Sequence, residues 1–133
     1  MLAKRKKRDG GILLAADALP ILEHARLDVL AGELNSWADA MDFAAKFLDL
    51  LPRRVRAVTT TVQAGEAEAA HVALVSLAAS AGMVGALQLE RDARLADEEL
   101  RAGHLVQARE SLPGLWVDAR AVIEALRDLL RRA

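Results

Sequence analysis

The chain of 133 residues contains no cysteine and no tyrosine, and its aromatics amount to two Phe and two Trp. Without cysteine there is no disulfide, thiolate metal site or thiol nucleophile to consider. Strand-favouring aromatics are scarce, while 28 Ala and 23 Leu lead the helix-propensity ranking, so the composition predicts an all-α fold. An excess of either charge is also missing. Lys+Arg number 18 against Asp+Glu 19, which argues against a broad phosphate-binding surface, and no nucleic-acid partner is expected. With 53% hydrophobic residues in a chain of this length, one domain with a real core is the natural reading.

Charge is nevertheless distributed unevenly. Residues 1–9 hold five basic side chains and one acidic one, which leaves 13 basic against 18 acidic, or −5, for the remainder. We read residues 1–11 as a basic flexible tail and residues 12–133 as a single helical domain. The apolar run at 12–16 is broken by Asp17 after five residues, too short for the core of a secretory signal, so a cytoplasmic protein is expected. A second uncharged stretch, residues 69–89, is long enough to span a bilayer. It carries His71, Ser76, Ser80, Gly82, Gly85 and Gln88 and is mostly Ala, so no membrane span is expected there.

Two apolar seams dominate the periodicity. Trp37, Met41, Ala44, Leu48, Leu51, Val55, Val58 and Val62 alternate spacings of four and three, predicting one long helix that continues through Pro52 and ends at Gly65. Ser36 and Asp39 resemble a capping box at its start. Leu105, Ala108, Leu112, Leu115, Ala119, Val122, Leu126 and Leu129 form the second seam, which keeps its phase across Pro113-Gly114. Between the seams we expect a helix over 67–81, a turn at 82–85, and a helix over 86–101. The last buries Leu89, Ala93, Ala96 and Leu100 and carries Glu90/Arg94 and Asp97/Arg101 pairs outside. An N-terminal helix over 20–31 presents Leu22, Leu27 and Leu30. Short connections force neighbours antiparallel, giving an up-and-down antiparallel four-helix bundle with an additional N-terminal helix. Trp37 and Trp116, on or beside the seams, are expected as core filler.

The middle of the chain resembles the histidine phosphotransfer (HPt) domain family of bacterial phosphorelays. In that family a Gly-Asp turn is followed, ten residues after the Gly, by His-x-Leu-Lys-Gly-Ser-x-x-x-aliphatic-Gly-Ala. Here the turn is Gly65-Glu66, and residues 75–86 read Val-Ser-Leu-Ala-Ala-Ser-Ala-Gly-Met-Val-Gly-Ala. Leu77, Ser80, Val84, Gly85 and Ala86 fall on family positions without a gap, and Phe47 to Pro52 matches the family's Phe-Leu-x-x-Leu-Pro segment. The resemblance covers roughly residues 20–130 and implies the HPt bundle.

The departures fall on the reacting groups. The family's phospho-accepting His, its Lys and its small Gly are Val75, Ala78 and Ala79 here. Valine has no lone pair and no acid–base capacity, so the resemblance implies a degenerate acceptor site and not an enzyme. His71 lies one turn earlier, about 40° around a helix and about 6 Å along it, and is the candidate for a displaced acceptor. Using it would put Ala73 where Leu belongs and require a four-residue insertion before Val84. Glu68 and His71 have the Glu-x-x-His spacing of di-iron bundles, but His24 and His104 follow Ile21 and Arg101 at that spacing, so no second copy exists and neither metal nor cofactor is expected.

An uncharged helix at 69–81 must show apolar surface to water or to a partner, whichever way it is rotated. The resemblance implies that receiver domains dock on this face. The sequence therefore predicts a partner-docking surface formed by His71, Val72, Val75, Ala78, Ala79 and Gly82, engaging a response-regulator receiver or a histidine kinase without phosphotransfer. Homodimerisation through the same face, a phosphocarrier working through His71, and a structural adaptor unrelated to phosphorelays are the alternatives.

Overall fold

The structure, a computed structural model, describes residues 19–132; the expected basic tail lies outside them. Among the described residues six helices follow one another: α1 (His24–Leu34), α2 (Trp37–Ala64), α3 (Ala67–Val84), α4 (Leu87–Arg101), α5 (Leu105–Glu110) and α6 (Leu112–Arg132). Helices α2, α3, α4 and α6 form the antiparallel bundle, α1 packs across α2 and α3, and α5 bridges α4 and α6 near the end of α2.

The junctions follow from local chemistry. Asn35, Gly65 and Gly85 all adopt the left-handed conformation that closes a helix, with φ of 55°, 72° and 86°. Ser36 Oγ accepts from the Asp39 amide at 3.1 Å and caps α2. The reciprocal half of the capping box is not formed, because the Ser36 amide donates instead to the Ala31 carbonyl that ends α1. Helix α2 runs unbroken through Pro52, as its seam predicts.

The second seam divides. Ser111 separates α5 from α6, its amide donating to the Gln107 and Ala108 carbonyls, so the interruption falls just before Pro113. Pro113 then occupies the first turn of α6, where its missing N–H leaves no helical bond unmade. The helix expected over 67–81 runs on to Val84, which makes Gly82 a helical residue and shrinks the turn to Gly85 and Ala86.

Leu51, Val55, Val58 and Val62 of α2, Leu89, Ala93 and Ala96 of α4, and Leu115, Ala119 and Leu126 of α6 meet in the core at 1% exposure or less. Trp37 is not core filler: it stands at the start of α2 with 49% of its surface exposed. Trp116 is half-buried and donates its indole N–H to Thr59 Oγ1 at 3.0 Å. Helix α3 has the length and hydropathy of a membrane span, yet Ala70, Leu74, Leu77, Ala78, Ala81, Gly82 and Val84 along it are buried against α1, α2 and α4.

One polar contact crosses the α4–α6 seam. Burial pushes the Asp118 carboxyl up to about 7, and its hydrogen bond to Asp92 and that neighbour's charge push the same way. Asp92 is also partly desolvated, which opposes ionisation, but hydrogen bonds from Asp118 and from Arg91 (Nε to Oδ1, 3.0 Å) hold it below the usual carboxylate range. Asp118 therefore carries the shared proton, and its Oδ2 is buried without a hydrogen-bond partner among the described residues.

Two predictions follow from these contacts. A side chain at Gly85 would combine a left-handed backbone with a clash against the Glu23 carbonyl, so Gly85→Ala should cost about 2 kcal/mol or more in chemical denaturation. Asp118 keeps its proton in the fold up to about 7 but releases it near 3.8 when unfolded, so stability falls as pH rises between those values. The opposite contribution of Asp92 lies below the ordinary carboxylate range and does not mask this fall. The unfolding midpoint should drop from pH 5 to pH 8, and Asp118→Asn should flatten that slope.

Candidate docking face on the third helix

The site is built on α3, whose single N-terminal acid, Glu68, is its last charged side chain. Seven buried positions fix its rotation, and beyond its exposed first turn (Ala67, Glu68 and Ala69) what remains outside is a stripe of Val72, Val75, Ser76, Ala79 and Met83 at helical spacing. Val72, Val75 and Met83 are 66%, 39% and 45% exposed. Val75, which the resemblance puts at the acceptor position, thus stands at the surface, within an apolar stripe without charge.

Two residues expected on this face are not on it. Ala78 has zero exposure and Gly82 is buried, because both point along the α3–α4 seam. The seam's register is antiparallel, set at one end by His71 against Asp97 and at the other by Gly82 against Glu90. A Cβ at Gly82 would lie 2.8 Å from Glu90 Oε2, so only glycine lets that carboxylate lie across α3. Ala78, between these contacts, is sealed. His71, Val72, Val75 and Ala79 remain as expected, and Ser76 and Met83 complete the stripe.

His71 is not a free surface side chain. Its Nδ1 lies 2.7 Å from Asp97 Oδ1, with the imidazole 39% and the carboxylate 12% exposed. With Asp97 as acceptor, Nδ1 carries the proton and donates, leaving the Nε2 lone pair unengaged by that bond. The expected Asp97/Arg101 pair is replaced by this contact. Arg101 instead lines, with Ala67, Glu68, His71 and Val72, a shallow cleft beside the imidazole. His104 is exposed and approaches Glu99 at 3.3 Å.

Both flanks of the stripe carry polar groups. On the α2 side Arg54 donates to Ser80 Oγ at 2.6 Å, and Ser80 in turn donates to the Ser76 carbonyl. On the α1 and α4 side, Arg26 donates to the Gly82 carbonyl at 3.1 Å and Arg94 pairs with Glu90 at 3.1 Å. Arg54 and Met83 have no distinguishing signal in the sequence, and the spacing there pairs Asp97 with Arg101 instead. The His71–Asp97 contact had a signal: an antiparallel hairpin centred on Gly85 brings together residues whose numbers sum to about 170.

The fold is an all-α bundle like that of a histidine phosphotransfer protein. The crystal structure of histidine-containing phosphotransfer protein B (HptB) from Pseudomonas aeruginosa PAO1 matches with a TM-score of 0.77 and 20% sequence identity, over 87% of this chain and 99% of that chain. No family model matches the sequence, nor does any curated protein at significance. At that identity the likeness establishes the architecture.

The burial pattern separates two neighbouring substitutions. Ala78→Glu should destabilise the fold by about 3 kcal/mol or more, because it places a carboxylate in a sealed seam. Val75→Glu, at an exposed position, should change stability by less than about 1 kcal/mol. Urea unfolding of the two variants distinguishes this arrangement from one with the helix rotated.

Proposed function

We propose that this chain is an HPt-like signalling module that docks a response-regulator receiver or a histidine kinase through the outer stripe of α3, with no phosphoryl transfer at position 75. The observation that carries the reading is the uncharged, surface-exposed stripe Val72–Val75–Ser76–Ala79–Met83 on a bundle with the phosphotransfer fold, and the family resemblance puts the inert side chain of Val75 in the acceptor's place. Valine offers nothing to an electrophilic phosphorus, whereas the apolar surface around it suits association. A docked partner would be occupied without turnover, so the module acts by sequestration or by blocking access, in the cytoplasm. The same stripe on a second copy is a variant of this reading.

The His71–Asp97 contact favours a second reading, a phosphocarrier. Asp97 orients the ring and would stabilise the imidazolium that forms when Nε2 takes a phosphoryl group. The two readings make different predictions for one experiment. Incubated with a phosphorylated receiver, the chain should bind it and acquire no acid-labile phosphate. Val75→Glu should weaken binding about tenfold or more, the equivalent of about 1.4 kcal/mol. A label that appears on the wild type and is lost in His71→Gln would establish the carrier instead, and unchanged affinity in a folded Val75→Glu variant would remove α3 as the docking surface.

A further inference from the structure

Beside the α3 stripe, on its α2 flank, lies a cleft of about 290 Å³ lined by Phe43, Lys46, Phe47, Leu50, Arg54, Ser80 and Met83. Its floor is apolar: Phe47 is 3% exposed, and Phe43 and Leu50 are half-buried. Its charged lining consists of Lys46 and Arg54 alone, both cations. Neither has an ion pair among the described residues. Asp42 and Asp49, one turn from Lys46 on α2, do not pair with it. Arg54 is anchored by its bond to Ser80, which spends one N–H of a five-donor group and leaves the rest of the fork available.

This is against the trend of the domain, where acidic side chains outnumber basic ones by 18 to 13 beyond residue 9. The opposite flank of the stripe behaves differently. The cleft between α1 and α4 is rimmed by Arg26 and Arg94 together with Glu33 and Glu90, and so is neutral in itself. Of these two clefts, the one on the α2 flank has a charged lining that is wholly cationic among the described residues. The cleft's volume lies just below the ~300–1,000 Å³ of pockets that enclose drug-sized ligands, and it suits one or two protein side chains better than a free molecule.

We infer that the α2–α3 cleft is a specificity pocket for an acidic, apolar segment of the docking partner. An aliphatic or aromatic side chain seats on Phe43, Phe47 and Leu50, and flanking carboxylates pair with Lys46 and Arg54. The inference rests on the α3 stripe being the docking face, with which the cleft is continuous through Ser80 and Met83. It adds that the partner approaches from the α2 side and that charge selects it. Charge pairs at such a rim act chiefly on association rate and salt dependence, while the apolar anchor sets residence time.

The test measures binding of a receiver domain to the full chain at low and high salt, alongside titration of the ¹⁵N-labelled chain with a synthetic peptide of alternating Leu and Glu. Lys46→Glu, at an exposed residue with no bond to lose, should weaken receiver binding about tenfold at low salt and flatten the salt dependence. Arg54→Lys, which keeps the charge, should largely preserve binding, and Lys46→Glu with Arg54→Glu should abolish it. The peptide should shift resonances at 43–54 and 80–83. If the receiver binds the charge-reversed chains as tightly as wild type, with unchanged salt dependence, the pocket is overturned while α3 docking stands. Peptide shifts in the cleft without any receiver binding would uphold the pocket and remove the receiver as occupant. Shifts caused equally by a fatty acid would also overturn the inference, since they would mark a cleft for any anionic amphiphile.

Discussion

Alanine and glycine along α3 allow three other helices to approach it closely, and that close approach fixes everything said about the site. Ala70, Ala78, Ala81 and Gly82 bury with Leu74, Leu77 and Val84, so the helix is locked in one rotation by packing rather than by polar contacts. A helix packed against three neighbours along one side can dispense with charge there, and α3 has none on any side after Glu68. The consequence is a narrow exposed strip that is apolar because nothing in the sequence was available to make it otherwise. Elsewhere charge is plentiful, as on α4, where Arg91, Arg94 and Glu98 stand exposed around Leu95.

The same packing explains the polar arrangement around the strip. Because α3 and α4 run antiparallel at short range, Asp97 meets His71 near one end and Glu90 lies over Gly82 near the other. Arg26 reaches the Gly82 carbonyl from α1, and Arg54 reaches Ser80 from α2. Each contact pins a side chain to the border of the strip and leaves its centre, around Val75, clear. The shared proton between Asp92 and Asp118 lies on the far side of α4 and belongs to stability rather than to this surface.

The architecture was legible because helical periodicity is a one-dimensional signal. The α2 seam predicted the helix through Pro52, and the stops at Gly65 and Gly85 follow from residues that tolerate positive φ. The rotation of α3 was not legible. A helix that is apolar all round has little amphipathic direction, so Ala78 and Gly82 were placed on a surface from which packing excludes them. Trp37 was misplaced for a related reason, since a seam gives a helical face but not where along the helix its neighbours end. Asp97 was assigned to Arg101 by intrahelical spacing, and the contact it makes instead crosses between helices.

Position 75 was read correctly as surface, and the meaning of the fold turns on that residue. The measurement that bears on it most directly is a map of amide chemical-shift changes in the ¹⁵N-labelled chain as an unlabelled receiver domain is added. Docking through α3 predicts changes concentrated at Val72, Val75, Ser76, Ala79 and Met83, fading along α5 and α6. Changes centred on α6, or none at saturating receiver, would contradict it.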